Sequence, residues 1–142
     1  MSMTFHVDIV SAEESIYSGT AHMLVAPAEH GEVGIKPRHA QYVALLKPGE
    51  VRIQVSDSGE QQSVFISGGI LEVQPHCVTV LADTAVRAKD LDEAEAMEAK
   101  RRAEDALANR QADFDYAKAQ SELIEAAARL RLIQKLRKTA NQ

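Results

Sequence analysis

The side chains that could bind a metal ion are five histidines and one cysteine, namely His6, His22, His30, His39, His76 and Cys77. Zinc sites pair such residues at short, regular separations along a chain. No histidine has another His or Cys at that spacing, and the adjacent His76 and Cys77 have poor geometry for one tetrahedral site. The sequence therefore predicts no metal site. Because Cys77 is alone, no disulfide can form within the chain, which fits a reducing compartment.

Motifs for nucleophilic catalysis and for phosphate binding are also missing from the sequence. There is no Gly-x-Ser-x-Gly elbow and no Walker loop, and Ser67-Gly68-Gly69 lacks the helix and the lysine that would follow in such a loop. Glu72 and Asp83 are single carboxylates beside predicted strands, and we interpret them as solvated side chains or turn caps. We therefore expect no catalytic residue, no cofactor and no enzymatic activity of the chain's own.

Charge is distributed unevenly along the 142 residues, whose formal net charge is −5. Residues 1–86 contain four bases and ten acids, whereas residues 87–142 contain twelve bases and eleven acids. The acidic balance argues against general nucleic-acid binding. No apolar run approaches the roughly 18 residues that span a bilayer, and no targeting segment opens the chain. We expect a cytosolic protein, or one held on a membrane face only through its partners.

The residue pattern changes near position 86, which predicts two domains, 1–86 and 87–142. In the first domain apolar residues alternate with polar ones, and Gly or Pro marks a turn about every ten residues. Short strands at such intervals predict an all-β sandwich or barrel. Residues 28–39 have the composition of a loop, and the strand before them is expected to stop at Pro27, which cannot donate a backbone hydrogen bond.

From residue 87 onward the chain contains neither Gly nor Pro, and its apolar residues follow helical spacing. Asp90 and Glu93 form a capping-box pattern that predicts the start of a first helix. Residues 109–113 predict a turn, after which a second helix begins. The predicted fold class is thus α+β, with an N-terminal all-β sandwich followed by a C-terminal antiparallel two-helix hairpin.

Both predicted helices are rich in alanine, which buries far less apolar area than Leu or Ile. The hairpin should therefore be held weakly, so that a folded and an extended arm are both accessible. Residues 84–89 are the expected hinge for that motion. The expected apolar face of the first helix comprises Leu91, Ala94, Met97, Ala103 and Leu107.

Three segments together resemble one protein family: residues 31–40 (GEVGIKPRHA), 67–73 (SGGILEV) and 78–85 (VTVLADTA). With the helical arm they are similar to the epsilon subunit of the bacterial F-type, proton-translocating ATP synthase. The resemblance runs over nearly the whole chain. It implies a ten-stranded β-sandwich and a C-terminal helix hairpin, an architecture that the residue pattern predicts independently. It also implies a subunit without an active site of its own.

The resemblance further implies a place in the central stalk, the rotor of the enzyme. Members of the family bind the gamma subunit and the ring of c subunits, and so couple proton translocation to ATP synthesis. Their hairpin folds against the head or extends along gamma, where it meets the catalytic alpha/beta head and inhibits ATP hydrolysis. The implied location is the cytoplasmic face of the bacterial inner membrane, with peripheral attachment through these partners.

Contact residues follow from matching the family's motifs position by position. Glu32, between Gly31 and Gly34, matches the position that faces the polar loops of the c ring, and His39 matches a position facing gamma. A basic run is similar to one that faces an acidic segment of the beta subunits in the extended form: Arg129, Arg131, Lys135, Arg137 and Lys138. The alternatives are a solvated turn carboxylate for Glu32 and, for each base, a solvated side chain that complements the helix dipole.

One segment departs from the family's pattern. Some members bind ATP through Ile/Leu-Asp-x-x-Arg-Ala at the start of the first helix, and Leu91 and Asp92 match its beginning. Glu95 stands where the arginine is expected, and a carboxylate there would repel phosphate. We therefore expect the isolated chain not to bind ATP.

An alternative from another class is a free-standing β-sandwich binding module with a coiled-coil arm for self-assembly. Its support is the seven-residue spacing of Tyr116, Leu123, Leu130 and Arg137. Two heptads are fewer than the three or four that indicate a coiled coil. A stable homodimer in sedimentation experiments would favour this alternative, and a monomer that binds gamma would favour the rotor subunit.

Overall fold

A computed structural model describes residues 3–108 and 113–140, which form two compact units, Met1–Lys89 and Asp90–Gln142. We call the first unit the head and the second the arm. The described part of the head consists of ten β-strands: β1 (Phe5–Val10), β2 (Ser15–Ala21), β3 (Met23–Ala28), β4 (Gly31–Ile35), β5 (Tyr42–Leu46), β6 (Gly49–Gln54), β7 (Gln61–Ile66), β8 (Gly69–Val73), β9 (Cys77–Ala82) and β10 (Ala85–Arg87). The predicted β-sandwich is thereby confirmed.

The strands follow the order β10-β7-β6-β3-β5-β8-β9-β1-β2, and β4 pairs with β3 beside this path. The strand pairs of the described head are antiparallel except that of β1 with β9, which is parallel. The guanidinium of Arg87 on β10 donates to the carbonyl oxygen of Ile16 on β2, at 3.0 Å. The two terminal strands of the order therefore meet, and the sheet closes into a near-barrel sandwich.

The interior of the head is built from the apolar members of the alternating pattern. On β1, for example, Phe5, Val7 and Ile9 are buried, whereas His6 is exposed. Burying each Val, Ile or Leu contributes about 1.5–3 kcal/mol, so this aliphatic core is the main source of the head's stability. Period-two alternation in the sequence thus identified the inward face correctly on this strand.

Two predictions about residues 27–35 were wrong. Strand β3 does not stop at Pro27 but continues to Ala28, and Gly31–Ile35 is a strand rather than a loop. Pro27 is accommodated because β3 changes its neighbour there: Met23–Val25 pair with β6, whereas Ala28 pairs with β5. At this change of partner a missing N–H costs no ladder hydrogen bond, while the Pro27 carbonyl still accepts from the Lys47 N–H at 2.9 Å.

The expected hinge at 84–89 is also partly a strand. Ala85, Val86 and Arg87 pair with β7 as β10, and the backbone N–H of Thr84 donates to the Ser67 hydroxyl at 3.0 Å. A single 3-10 turn, Ala88–Asp90, then leads out of the head. Residues 84–87 of the expected hinge are therefore hydrogen-bonded into the sheet.

The arm contains two helices, α1 (Glu93–Ala108) and α2 (Asp113–Ala140). The predicted cap at Asp90 was wrong, because Asp92 occupies that position: its Oδ1 accepts the N–H groups of Ala94 at 2.9 Å and of Glu95 at 3.3 Å. Glu93, at the start of α1, pairs with Arg137, near the end of α2, so the helices run antiparallel as expected. The predicted turn at 109–113 lies largely outside the described residues.

The buried face of α1 differs in part from the expected one. Ala103 is buried as expected, but Ala94 and Met97 are exposed, and Ala96 is buried instead. The buried residues of α2 include Ala119 and three others: Ala126, Ala128 and Leu132. Five of these six buried residues are alanines, so the interior of the arm gains little from apolar burial.

Candidate interaction sites

Glu32 projects from β4 with its carboxylate largely in solvent. Its Oε2 accepts a hydrogen bond from Arg52 Nη2 on β6 at 2.6 Å, and Arg52 Nη1 donates to Glu50 Oε1 at 3.3 Å. Gly31, before it, has a φ of +130°, a backbone conformation that favours glycine. Glu32 was expected from the sequence as a contact residue, whereas the guanidinium that holds it has no signal in the sequence.

His39 lies in the segment between β4 and β5, in contacts separate from those of Glu32. Its Nδ1 is 2.7 Å from the carbonyl oxygen of Ala40, so this nitrogen is the donor. The imidazole meets the ring of Tyr42 edge to face, with ring centroids 6.2 Å apart. Arg38, just before it, has a φ of +61°, which is uncommon for a residue with a side chain. His39 is thus held by its own segment and remains half-exposed.

Members of the basic run of α2 pair with carboxylates of the arm itself. Arg129 Nη2 donates to Glu125 Oε1, one turn earlier, at 3.1 Å, and Arg137 donates to Glu93 of α1. Four members of the run are exposed: Arg131, Lys135, Arg137 and Lys138. The folded hairpin therefore engages at least two of the five bases with its own carboxylates.

The arm has a shallow groove lined by equal numbers of acidic and basic side chains. It is lined by Ala99, Arg102, Glu122, Glu125, Ala126 and Arg129. Arg129 is already paired with Glu125, and Glu95 at the start of α1 is exposed with no base in place of the family's arginine. A polyphosphate needs an excess of donors and positive charge, which these side chains do not supply.

We therefore expect isothermal titration calorimetry of the isolated chain to detect no binding at micromolar ATP. The Glu95→Arg variant, which restores the family's pattern, should bind ATP more tightly than the unaltered chain. Glu98→Arg, an equal change of charge one turn further along the exposed surface of α1, is the matched control. Micromolar binding by the unaltered chain would contradict this prediction.

A second cluster, on β1 and β2, was not anticipated from the sequence. The Ser18 hydroxyl donates to Asp8 Oδ1 at 2.7 Å, and His6 Nε2 lies 3.0 Å from the same oxygen. These contacts, led by the hydrogen bond from Ser18, lower the pKa of Asp8. The arrangement is not a catalytic triad, because one imidazole nitrogen faces both the carboxylate and the hydroxyl. It stabilises the antiparallel register Asp8↔Ser18.

Three exposed aliphatic side chains form an apolar row across the head. Register places Leu45 of β5 opposite Ile70 of β8, and Ile70 opposite Leu81 of β9. All three are exposed, as is Val43 two residues before Leu45. Adjacent apolar side chains on an outer sheet surface often mark a contact with another protein. No sequence signal revealed the row, because its members are far apart along the chain.

Two negative findings concern residues 3–108 and 113–140. No three His, Cys, Asp or Glu side chains come together there in a way that could hold a metal ion. No helix in the described part of the chain has the length and apolar character needed to cross a membrane.

Comparison with known proteins identifies the family. The family model described as "ATP synthase, Delta/Epsilon chain, beta-sandwich domain" matches residues 4–88, and the one described as "long alpha-helix domain" matches residues 89–134. The ATP synthase epsilon chain of Thioalkalivibrio sulfidiphilus is 82% identical over 138 residues, which are 97% of this chain and 98% of that relative. The chain belongs to the ATP synthase epsilon-chain family. Its relatives are thus subunits of an enzyme complex, the ATP synthase.

Further epsilon-chain relatives agree with this assignment. Those of Alkalilimnicola ehrlichii and Nitrosococcus oceani are 61% and 62% identical, each over at least 97% of this chain and 98% of the relative. Among solved structures, a chain of the Euglena gracilis mitochondrial ATP synthase (OSCP/F1/c-ring) matches with a TM-score of 0.77 at 18% identity. The match covers 88% of this chain and 78% of the Euglena chain.

The Tetrahymena thermophila mitochondrial ATP synthase, solved as central stalk and c-ring, contains a chain that matches with a TM-score of 0.58 at 16% identity. The match covers 95% of this epsilon-family chain and 97% of that chain. At these identities the two structural matches establish a shared fold. The contact residues named above are assigned by neither of them.

Proposed function

We propose that this chain is a rotor subunit that couples proton translocation through the c ring to ATP synthesis by binding gamma and the c ring. The observation that carries the proposal is the match of both epsilon-chain domains to consecutive parts of the chain, 4–88 and 89–134. The structural units Met1–Lys89 and Asp90–Gln142 nearly coincide with these parts. Attachment to the cytoplasmic face of the bacterial inner membrane would then be peripheral, through these partners.

In this proposal the head is the part that binds the rotor. The Glu32 carboxylate, exposed and held by Arg52, is available to hydrogen-bond donors of the c ring. His39 is proposed to face gamma. The apolar row of Leu45, Ile70 and Leu81 supports binding of a permanent protein partner, because covering aliphatic side chains stabilises an obligate interface.

Purification from membranes tests the proposed partnership directly. Full-length chain with an affinity tag at its N-terminus should bring down gamma and the c ring in a fixed ratio. Charged replacements within the apolar row, such as Leu45→Glu with Leu81→Glu, should reduce the recovery of gamma. The matched control replaces exposed polar residues of the head, Gln61→Glu with Gln62→Glu. Recovery of the chain as a homodimer without gamma would refute the proposal.

The arm is proposed to regulate the enzyme by extending along gamma to the alpha/beta head, where it inhibits ATP hydrolysis. Its interior, built mainly of alanines, provides weak packing, so a small free-energy difference would separate the folded and extended forms. Opening the hairpin would break the pair of Glu93 with Arg137 and leave that guanidinium available to an acidic partner.

Charge reversal in the basic run should relieve part of this inhibition. Arg131→Glu with Lys138→Glu changes two exposed side chains of the run, so the folded arm should tolerate it, and ATP hydrolysis by the assembled enzyme should rise about two- to five-fold. Steady-state ATPase assays measure the effect. Arg101→Glu with Arg102→Glu, the same change on α1, is the control and should leave the rate nearly unchanged. Equal rates for all three enzymes would mean that the basic run is only a solvated surface.

A further inference from the structure

Arg52 is the centre of a three-residue ionic cluster on the head. Its side chain on β6 is only 24% exposed, and it lies between Glu50, 11% exposed, and Glu32, 57% exposed. The shorter contact, 2.6 Å from Nη2 to Oε2, goes to the exposed carboxylate of Glu32, and the longer one, 3.3 Å, goes to the less exposed carboxylate of Glu50. One end of the cluster is thus anchored in the sheet, and the other reaches the surface.

The sheet register explains why these residues meet. On β3, Val25 is opposite Arg52 of β6, and Pro27 is opposite Glu32 of β4. Residues 25 and 27 point to the same side of β3, so Arg52 and Glu32 lie on one face, diagonal to each other across that strand. Pro27 has no side chain that could compete for either charge.

The electrostatics favour a fixed contact rather than a fluctuating surface pair. Burial by itself would lower the pKa of Arg52, but the hydrogen bonds and charges of Glu32 and Glu50 outweigh it and raise that pKa. A partly buried guanidinium with a planar fork loses little freedom when it binds two carboxylates. An exposed pair between two flexible side chains would contribute far less.

We propose that Arg52 is a positioning residue, which holds the Glu32 carboxylate in the orientation in which it meets the c ring. This inference rests on the proposed contact between Glu32 and the c ring. Arg52 itself stays beneath that surface, and Glu50 anchors it from the other side. The cluster has two acids and one base, so the carboxylate presented to the partner keeps its negative character.

A double-mutant cycle tests the role of Arg52. The full-length chain, assembled with gamma, is titrated against the purified c ring in detergent, using the unaltered chain, Arg52→Gln, Glu32→Gln and the double variant. Arg52→Gln and Glu32→Gln should each weaken binding about five-fold. The double variant should bind no more weakly than Glu32→Gln alone, because Arg52 acts through that carboxylate. Arg52→Lys should restore only part of the affinity, since it lacks the planar fork.

The outcomes separate the two levels of the proposal. If Glu32→Gln binds as tightly as the unaltered chain, the contact between Glu32 and the c ring is wrong, and the positioning role falls with it. If Glu32→Gln weakens binding but Arg52→Gln does not, or if their effects add in the double variant, only the positioning role is overturned. Lys89→Gln removes one exposed positive charge of the head outside this cluster and should leave the affinity unchanged. Urea unfolding of each isolated chain detects any general loss of stability.

Discussion

An enzyme assembled with a chain that lacks residues 91–142 is expected to hydrolyse ATP several-fold faster while retaining this subunit. The head, whose core and closing strand β10 end before the deletion, keeps every strand of the sheet. The deleted arm contains all five bases of the proposed inhibitory run. If an extended arm blocks about 70–90% of the enzymes at rest, removing it should raise the rate roughly three- to ten-fold. Steady-state ATPase assays on purified enzyme measure this.

The control for the truncation is a chain that lacks only residues 139–142. It keeps the basic run, from Arg129 to Lys138, and should hydrolyse ATP at the unaltered rate. Quantifying the subunit in each preparation shows whether the truncated head is still bound. An unchanged rate of ATP hydrolysis with the truncated subunit still bound would contradict the proposed regulatory role of the arm. Loss of the subunit would mean that the arm is needed for assembly.

Gly69→Ala is expected to destabilise the head by about 3 kcal/mol or more, at or above the upper end of the usual range for a single substitution. Gly69 begins β8 with a φ of +148°, and a Cβ placed on it would lie 2.1 Å from the carbonyl oxygen of Leu81 and 2.9 Å from Cα of Ala82. Both atoms are backbone of β9, so the clash cannot be relieved by a rotamer change. The strands β8 and β9 would have to separate. Urea unfolding of the full-length chain, monitored through the NMR amide signals of these two strands, measures the loss in free energy of unfolding.

Gly31→Ala is the matched control, because Gly31 has a similar φ of +130° but nothing within 4 Å of the added Cβ. This variant should lower the free energy of unfolding only by the backbone strain of the new side chain, about 1–2 kcal/mol. The difference between the two variants isolates the steric clash from the conformational preference. Equal losses of unfolding free energy in the two variants would show that β9 shifts to accommodate the methyl group at no energetic cost.

Sequence periodicity predicted strands correctly where one face of the strand is buried. It missed a strand where the local composition is typical of a loop but a neighbouring strand offers a pairing partner. Gly31–Ile35 has two glycines and a glutamate and resembles a loop, yet β3 offers it a full antiparallel ladder. The start of α1 shows the same limit. The sequence pattern predicted a cap at Asp90, but the 3-10 turn at Ala88–Asp90 leaves Asp92 to accept the helix N–H groups.

By itself, the sequence determined the two-unit α+β architecture, the aliphatic core and membership of the epsilon-chain family, because these depend on periodicity and on contiguous motifs. It also supplied Glu32, His39 and the basic run as candidate contacts. Only the tertiary structure decided that Glu32 is held by Arg52, twenty residues away, and that Leu45, Ile70 and Leu81 form one apolar row. The physical reason is register. Which side chains meet across a sheet depends on how strands distant in sequence align, and that alignment leaves no local signal in the chain.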